Sequence, residues 1–398
     1  MARLWSSGFE LNTETANVEL TSTSAAFSIV TTTVRSGTYV ARISPGGAST
    51  GSAVYQFSSS NITADHYTRI YLYITTLPSR EMNLLSFANS SSSLSGNLKL
   101  NTDGTIGLFN GATQVGSYSS ALNTSTWYCL ELRTKRISNG NDIVEGRIDT
   151  VSFASSSSLT LGVTTIDKVI IGDSGTNFST DIRIDDWAIN DSSGSFQNSW
   201  PGDGEIIHLR PNADGDTTTW FGADFTDVDE VTPDDATTSI ADNDAEDTYE
   251  ANLDATPVAL ASDDTINVVQ VGVRFREASA VAVDPIVVLR IKASSGGTVE
   301  ESSNITLDSA TWSTNAMAAP RNYALTLYDL PGASTTAWTK ADLDTAQIGV
   351  RLTNNADADA EVSTLWLLVD HTPAVAGGND LSDVILRNES LRLLRVGK

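Results

Sequence analysis

Apolar and polar side chains alternate at every second position through much of this 398-residue chain. In the stretch 69–74, Ile70, Leu72 and Ile74 share one parity, and two tyrosines occupy the other. The stretch 268–276 repeats the pattern, with valines on one parity and arginines on the other. A period of two is typical of a strand that is buried on one face, whereas an amphipathic helix repeats every 3.6 residues. The sequence therefore predicts an all-β fold of antiparallel sheets.

Two interruptions of the strand pattern divide the chain. The first is Trp200-Pro-Gly-Asp-Gly, and the second is the Gly-containing stretch 374–379 after the last predicted strand. We expect two tandem antiparallel β-sandwich (jelly-roll) domains, 1–200 and 205–373, followed by a linker and C-terminal tail, 374–398. Each of the two domains is long enough to bury its own hydrophobic core.

The charge of the chain limits its partners. The net charge is −25, and the stretch 224–250 holds eleven carboxylates and no Lys or Arg. Such a field repels phosphate, so we expect neither nucleic acid nor a membrane as a partner. Cys129 is the only cysteine, which excludes an intrachain disulfide. The first residues lack the apolar stretch of a signal peptide, so we expect synthesis in a host cytoplasm.

The segment 180–191 predicts an irregular strand. Ile182 and Ile184 share one parity, whereas Trp187 and Ile189 share the other. A β-bulge at Asp185-Asp186 inserts one extra residue and would turn both pairs toward the same core.

Several segments resemble known families. Ser125-Thr-Trp-Tyr-Cys-Leu-Glu-Leu, Gly146-Arg-Ile-Asp and the segment 180–191 resemble strands of a concanavalin-A/laminin-G-like jelly roll. The opening segment Leu4-Trp-Ser-Ser-Gly-Phe-Glu is similar to the start of phage-encoded jelly rolls. In the second half, the segments Pro211-Asn-Ala-Asp-Gly-Asp and Leu365-Trp-Leu-Leu-Val-Asp-His look like a module of phage structural proteins. The resemblance implies a phage virion structural protein with a jelly-roll domain and a second β-sandwich, but jelly rolls serve many functions.

The sequence offers no convincing catalytic arrangement. Glycoside hydrolysis needs two carboxylates on opposite sides of the scissile bond. The nearest candidates, Asp185/Asp186 and Glu300/Glu301, are adjacent pairs whose side chains point to opposite faces of a strand. The histidines are far apart, and Cys129 fits a buried structural thiol. We predict no catalytic residues, no cofactor and a non-enzymatic protein.

One pattern is compatible with calcium. Asn212, Asp214 and Asp216 place oxygen-bearing side chains at alternate positions around a glycine, as calcium loops do. The acidic residue expected at the twelfth position of such a loop is absent, so a polar turn is the competing interpretation.

The C-terminal tail combines apolar and basic residues on an acidic protein. We predict that it docks onto an identical copy or another virion protein, with folding back onto its own domain as the alternative. The predicted assembly residues are Leu381, Ile385, Arg387, Leu391, Arg392, Leu394 and Arg395.

These observations favour a non-enzymatic virion structural protein on the particle surface, either a capsid decoration or a tail-associated module. A carbohydrate-binding adhesin for a host surface glycan is the alternative, and a polysaccharide-degrading enzyme is a more distant one. The adhesin needs clustered exposed aromatic residues. Trp127, Trp187, Trp312 and Trp366 lie on or beside predicted strands and are expected in the core. Trp200, Trp220 and Trp338 lie in predicted loops.

Overall fold

The structure is a computed structural model. It describes residues 3–14, 19–47, 49–56, 64–193, 196–235, 238–257, 259–307, 312, 323–328 and 337–374. Strands account for 51% of these residues and helices for 2%, which confirms the all-β prediction.

The first group of strands lies between residues 3 and 191, and all its pairings are antiparallel. The bounds are β1 (Arg3–Ser7), β2 (Ser22–Thr23), β3 (Phe27–Val30), β4 (Val40–Ile43), β5 (Gly46–Gly47), β6 (Gly51–Gln56), β7 (Asp65–Thr76), β8 (Met82–Ala88), β9 (Leu94–Leu100), β10 (Ile106–Asn110), β11 (Thr113–Val115), β12 (Trp127–Lys135), β13 (Asp142–Ile148), β14 (Val151–Leu159), β15 (Lys168–Asp173), β16 (Phe178–Ser179) and β17 (Asp181–Asp191).

These strands form two large sheets that pack face to face. The larger has eight strands in the order β14-β13-β12-β7-β17-β4-β3, and β1 pairs with β17. The smaller has seven, in the order β11-β10-β9-β8-β15-β6-β2, and β16 and β5 form a separate pair. Ile70, Leu72 and Ile74 lie in the core between the sheets, as their parity predicts.

The second group lies between residues 205 and 372. Its bounds are β18 (Glu205–Leu209), β19 (Pro211–Thr218), β20 (Ile240–Asp242), β21 (Thr248–Leu253), β22 (Thr265–Glu277), β23 (Ile286–Lys292), β24 (Glu300–Glu301), β25 (Ile305–Thr306), β26 (Tyr323–Tyr328), β27 (Gln347–Leu352) and β28 (Ala360–Thr372). A 3-10 turn (Phe225–Asp227) and helix α1 (Lys340–Leu343) are the helical elements of the described residues, and neither is long and apolar enough to cross a membrane.

Two further sheets form the second sandwich. One has the order β18-β28-β22-β26 with β20 beside β28, and the other the order β19-β21-β27-β23-β24 with β25 beside β23. Val269, Val271 and Val273 of β22 enter the core between them, as predicted. The domain boundaries drawn from the sequence stay predictions, and the tail from residue 375 onward lies outside the described residues.

The predicted bulge is present in β17. The pairing of β17 with β7 shifts between Asp185 and Ala188, where one extra residue is inserted, and Asp186 has a φ of 50°. Trp187 is fully buried after the shift, in the same core as Ile184. The extra residue keeps both halves of the strand facing inward.

The two sandwiches meet in a buried junction. Leu11 of the first packs with Ile206, Trp366 and Leu368 of the second. Asp370 of β28 accepts hydrogen bonds from Arg3 at 2.8 Å and from Arg69 at 3.2 Å, and the side chains of all three are fully buried. Two guanidinium groups on one carboxylate satisfy charges that would be costly to bury unpaired.

Candidate functional site

The eight-stranded sheet carries polar and aromatic side chains on the surface that faces away from its core. Because β7 and β12 are paired, the side chains on this surface lie side by side: Tyr73 with Trp127, Tyr71 with Cys129, Arg69 with Glu131, and Tyr67 with Arg133. Glu145 and Arg147 of β13 and Arg183 of β17 continue the rows on either side. We call this surface the outer face. It consists of the residues that alternate with the core positions of the same strands.

One end of the outer face is open. The rings of Tyr73 and Trp127 lie 5.4 Å apart at 52°, and both residues are partly exposed. Trp127 is therefore not a core residue, and the prediction that placed it in the core was wrong. On β12, Trp127 pairs with Tyr73 of the outer face, whereas the next residue, Tyr128, pairs with the core residue Leu72. The sequence placed Trp127 on a strand but did not establish which face of the sheet it occupies.

Charged side chains flank this aromatic pair. Arg183 lies opposite Tyr73 in the next strand, and Arg42 lies opposite Arg183. Both guanidinium groups donate to Asp181, Arg42 at 2.9 Å. Burial raises the pKa of the Asp181 carboxyl, but the hydrogen bonds from Arg42 and Arg183 outweigh it and hold that pKa below its usual value. The Nε of Arg183 is buried and has no hydrogen-bond partner among the described residues.

The centre of the outer face is covered by residues 200–204, which join the two sandwiches and which we call the crossing segment. The Gly202 amide donates to Glu131 Oε1 at 2.8 Å, and the Gly202 carbonyl accepts from Arg69 at 3.1 Å. The Tyr71 hydroxyl donates to the Asp203 carboxylate. Arg35 donates to the same carboxylate at 3.5 Å and to the Gly204 carbonyl at 2.9 Å.

Glu131 lies beneath this segment with half of its carboxylate unsatisfied. The residue is fully buried, and Oε2 has no hydrogen-bond partner within the described part of the chain. Burial raises the pKa of the Glu131 carboxyl, although the Gly202 amide and Arg69 oppose the shift. An unsatisfied buried acceptor costs about 1–3 kcal/mol, and such groups often mark a functional position.

Cys129 lies beside Tyr71 on the same face. Burial raises the pKa of its thiol to about 12, so the thiolate needed for nucleophilic attack does not form at neutral pH. This agrees with a structural thiol.

The far end of the outer face carries a second aromatic contact. The ring of Trp200 lies 5.2 Å from that of Tyr67, and the Arg147 guanidinium lies 3.8 Å from the Trp200 ring centre. Arg133, which lies opposite Tyr67, is six positions along β12 from Trp127, which corresponds to about 20 Å of strand. The two aromatic contacts therefore lie on one face with polar groups between them.

The other tryptophans predicted in loops do not join this surface. Trp220 is 2% exposed and Trp338 is 4% exposed, and both belong to the core of the second sandwich. Trp187 and Trp366 are fully buried, as predicted, and Trp312 is 9% exposed.

The carboxylate pairs considered from the sequence serve structural contacts. Asp185 accepts the Arg35 amide at 3.0 Å, and Asp186 accepts the Ser36 hydroxyl at 2.6 Å and the Ile206 amide at 2.6 Å. Burial raises the pKa of Asp185 well above its usual value.

The second pair lies on β24 of the other sandwich. Glu301 accepts two hydrogen bonds from Arg351, at 2.9 and 2.6 Å, and Arg290 lies 3.3 Å away. The hydrogen bonds from Arg351 lower the pKa of Glu301.

The predicted calcium ligands do not come together. All three lie on β19, where Asp214 accepts from the Phe225 amide at 3.0 Å and from Tyr249 at 3.2 Å. Asp216 accepts from Lys292 at 2.7 Å and from the Gly296 amide at 2.6 Å, and these bonds lower the pKa of its carboxyl. Asn212 is exposed. Calcium binding by these residues stays a prediction, and an ion would have to displace Lys292 from Asp216.

A different acidic cluster lies in the run 224–250. One carboxylate oxygen from each of Asp242, Asp244 and Asp247 lies within 4.8 Å of the other two. Asp242 already accepts the backbone amides of Phe221 at 3.0 Å and Asp244 at 2.9 Å, so its oxygens stabilise the local turn. The predicted assembly residues, 381–395, lie outside the described residues.

No protein-family model matches the sequence, and a search of curated proteins finds no match. Solved structures match parts of the chain at low identity and low TM-score. The chain is similar to the cellulose induced protein Cip1, with 14% identity and a TM-score of 0.36 over 50% of this chain and 99% of Cip1. It is also similar to the endo-β-1,4-glucuronan lyase of Trichoderma reesei, with 12% identity and a TM-score of 0.34 over 47% of this chain and 95% of the lyase.

A third similar structure is the Trypanosoma rangeli sialidase, with 12% identity and a TM-score of 0.32. The match covers 45% of this chain but only 29% of the sialidase. A lyase and sialidases are enzymes, and this finding contradicts the prediction that the chain is non-enzymatic. That prediction is wrong and is withdrawn. At these TM-scores the likeness identifies no activity, and we infer none from it.

The sequence carries a signal for the outer face. The polar parity of β7 and β12 contains Tyr67, Tyr71, Tyr73 and Trp127 among charged residues. A strand face that only contacts water usually carries residues such as Ser, Thr and Lys. Aromatic residues on the face away from the core therefore indicate a contact surface. The crossing segment had no such signal, because its partners lie far away in sequence.

Proposed function

We propose that the protein binds carbohydrate on the outer face of its first sandwich. The observation that carries the proposal is the partly exposed pair of Tyr73 and Trp127, flanked by Arg42, Arg183 and Asp181. Aromatic rings offer a flat apolar surface to the C–H face of a sugar, and charged groups beside them exchange hydrogen bonds with hydroxyls. This combination of a few polar groups with aromatic rings is typical of small-molecule sites.

The position of the pair supports binding of a chain of sugars. The outer face runs from the Tyr73–Trp127 pair to Tyr67 along neighbouring strands, so a linear polysaccharide can contact more than one aromatic residue. The rest of the protein is strongly acidic, whereas this face concentrates several arginines. The binding surface is therefore chemically distinct from the rest of the protein.

The test is binding of purified full-length protein to a panel of neutral and acidic polysaccharides by affinity electrophoresis and calorimetry. Trp127→Ala and Tyr73→Ala should each weaken binding about tenfold, because truncating a central aromatic contact costs at least about 1.4 kcal/mol. Tyr118→Ala removes a 42% exposed ring outside the outer face and should leave binding unchanged. Equal effects of all three substitutions, or no polysaccharide binding at all, would reject the proposal.

The setting of this binding stays a prediction. We propose that the protein lies on a phage particle and attaches it to a host surface glycan. This setting is compatible with both carbohydrate binding and the resemblance to virion proteins. Electron microscopy of phage particles labelled with antibody to this chain tests this setting. Particles that carry no label would show that the protein is not on the virion surface.

A further inference from the structure

We propose that the centre of the outer face is a second sugar subsite, selective for an acidic saccharide, and that the crossing segment occupies it as an internal competitor. The inference rests on the proposed function and specifies the ligand class and its regulation.

The contacts of the crossing segment reproduce those of a sugar ligand. Its Trp200 ring makes an edge contact with Tyr67 at 5.2 Å and lies beneath the Arg147 guanidinium at 3.8 Å, a position that a flat apolar group can take. Its Gly202 backbone donates to Glu131 and accepts from Arg69, as a pair of hydroxyls would. The segment therefore fills positions that can recognise a ring and its polar substituents.

The carboxylate of Asp203 specifies an acidic ligand. It is held by the Tyr71 hydroxyl and, at 3.5 Å, by Arg35. When the segment leaves, the Tyr71 hydroxyl loses its acceptor and Arg35 keeps only its 2.5 Å ion pair with the buried Asp186, so a uronate carboxylate can take the place of Asp203. A guanidinium group next to a hydroxyl is well suited to a carboxylate. A neutral sugar offers these donors no charge.

Glu131 indicates that the segment is an imperfect occupant. The Gly202 amide satisfies one carboxylate oxygen, while Oε2 stays buried and without a partner in the described residues. The segment has no further donor at this position, whereas a sugar ring carries several hydroxyls. A ligand that donates to Oε2 gains a hydrogen bond that the segment does not make.

The segment can leave without separating the two sandwiches. Asp203 is 57% exposed, so its ion pair is weak, and Gly202, with a φ of 69°, adapts readily to a new backbone conformation. The ends of the segment are held independently, by the hydrogen bond from Asn190 to the Ser199 carbonyl and by β18. The junction keeps its Arg3–Asp370 pair.

The experiment compares the full-length protein with its Asp203→Asn variant. The substitution removes the carboxylate but keeps the side-chain shape, and it loosens the segment. The probes are alginate, a soluble polyuronate, and dextran, a neutral glucan. Asp203→Asn should bind alginate about threefold to tenfold more tightly than the wild type, with dextran unchanged. Asp263→Asn, an exposed Asp on the second sandwich, is the matched control and should change neither affinity.

A second readout follows the segment itself. Saturating alginate should increase hydrogen exchange of the Gly202 and Gly204 amides, because both lose their present surroundings, and dextran should not. Unchanged or weaker alginate binding by Asp203→Asn, or protection of these amides by alginate, overturns the inference. If dextran binding still depends on Trp127 in that case, the proposed function stands. If the full-length protein binds neither alginate nor dextran, both the proposed function and this inference are rejected.

Discussion

Lys292 of the second sandwich is a charged side chain almost completely removed from solvent. It is 4% exposed and contacts Asp216 and Glu250, each at 2.7 Å, and Glu250 is itself 2% exposed. Burying one ammonium group between two carboxylates satisfies its charge. Without Glu250, the buried Lys292 would keep only Asp216, whose side chain is 28% exposed.

We therefore expect Glu250→Ala to lower the free energy of unfolding by about 3 kcal/mol. Glu246→Ala is the matched control, since the Glu246 side chain is 73% exposed and pairs with Arg351 on the surface. Its effect should stay below about 1 kcal/mol. Urea unfolding of the full chain, followed by circular dichroism, measures both. Similar midpoints for the two variants would mean that burial of the cluster adds nothing.

At the scale of strands, β22 and β28 form the longest pairing of the second sandwich. Gly272 lies directly opposite Trp366, and a Cβ placed on Gly272 would lie 2.0 Å from the Trp366 ring. The ring occupies the space that the missing side chain leaves. A glycine in the middle of a strand often marks such a close approach.

Gly272→Ala should therefore destabilise the protein by about 1–3 kcal/mol or more, as overpacking does in other cores. Gly162→Ala is the control, because a Cβ there meets nothing within 4 Å. Thermal unfolding by calorimetry compares the two variants with the wild type. A Gly272→Ala protein as stable as Gly162→Ala would show that the Trp366 ring moves aside at no cost.

The strands also show which features a sequence can predict. The change of parity around Asp185-Asp186 predicted the bulge of β17, because a core must receive apolar residues from both halves of a strand. The outward direction of Trp127 follows from its pairing with Tyr73, which lies 54 positions earlier and is set by the sheet. The contact of Gly202 with Glu131 spans 71 positions. Local periodicity carries no information on such distant pairings.

At the scale of the whole molecule, the junction concentrates buried acids around Arg210, which links the sandwiches. Arg210 donates to the Glu10 carbonyl at 2.9 Å. The Glu10 carboxylate accepts the Thr38 amide at 2.9 Å, and Glu19 accepts the Ser7 hydroxyl. Burial raises the pKa of Glu10 and that of Glu19 to about 7 each, against the lowering effect of these hydrogen bonds.

A carboxyl whose pKa is higher in the folded state than in the unfolded state stabilises the fold when it is protonated. The contribution of Glu10 and Glu19 is thus complete below about pH 4.5, their ordinary pKa, and is lost as the pH rises through about 7. The buried histidines act in the opposite direction, because burial lowers the pKa of His66, His208 and His371. The pH profile of the wild type is therefore a sum of opposing effects.

The variant Glu10→Gln/Glu19→Gln isolates the carboxyl contribution, because both amides stay neutral and the histidines are unchanged. Relative to this variant, the melting temperature of the wild type should fall between about pH 4.5 and pH 7, most steeply midway between these two values, and should level off above the folded-state pKa. The corresponding loss in the free energy of unfolding should be up to about 3 kcal/mol per carboxyl group, since one pKa unit corresponds to about 1.4 kcal/mol. Over this range the carboxylates with lowered pKa, such as Asp370, stay ionised and do not contribute to the difference. Differential scanning fluorimetry at half-unit pH intervals measures the difference. Parallel profiles of wild type and variant would mean that Glu10 and Glu19 ionise in the folded protein as they do in the unfolded chain, and that the junction is hydrated.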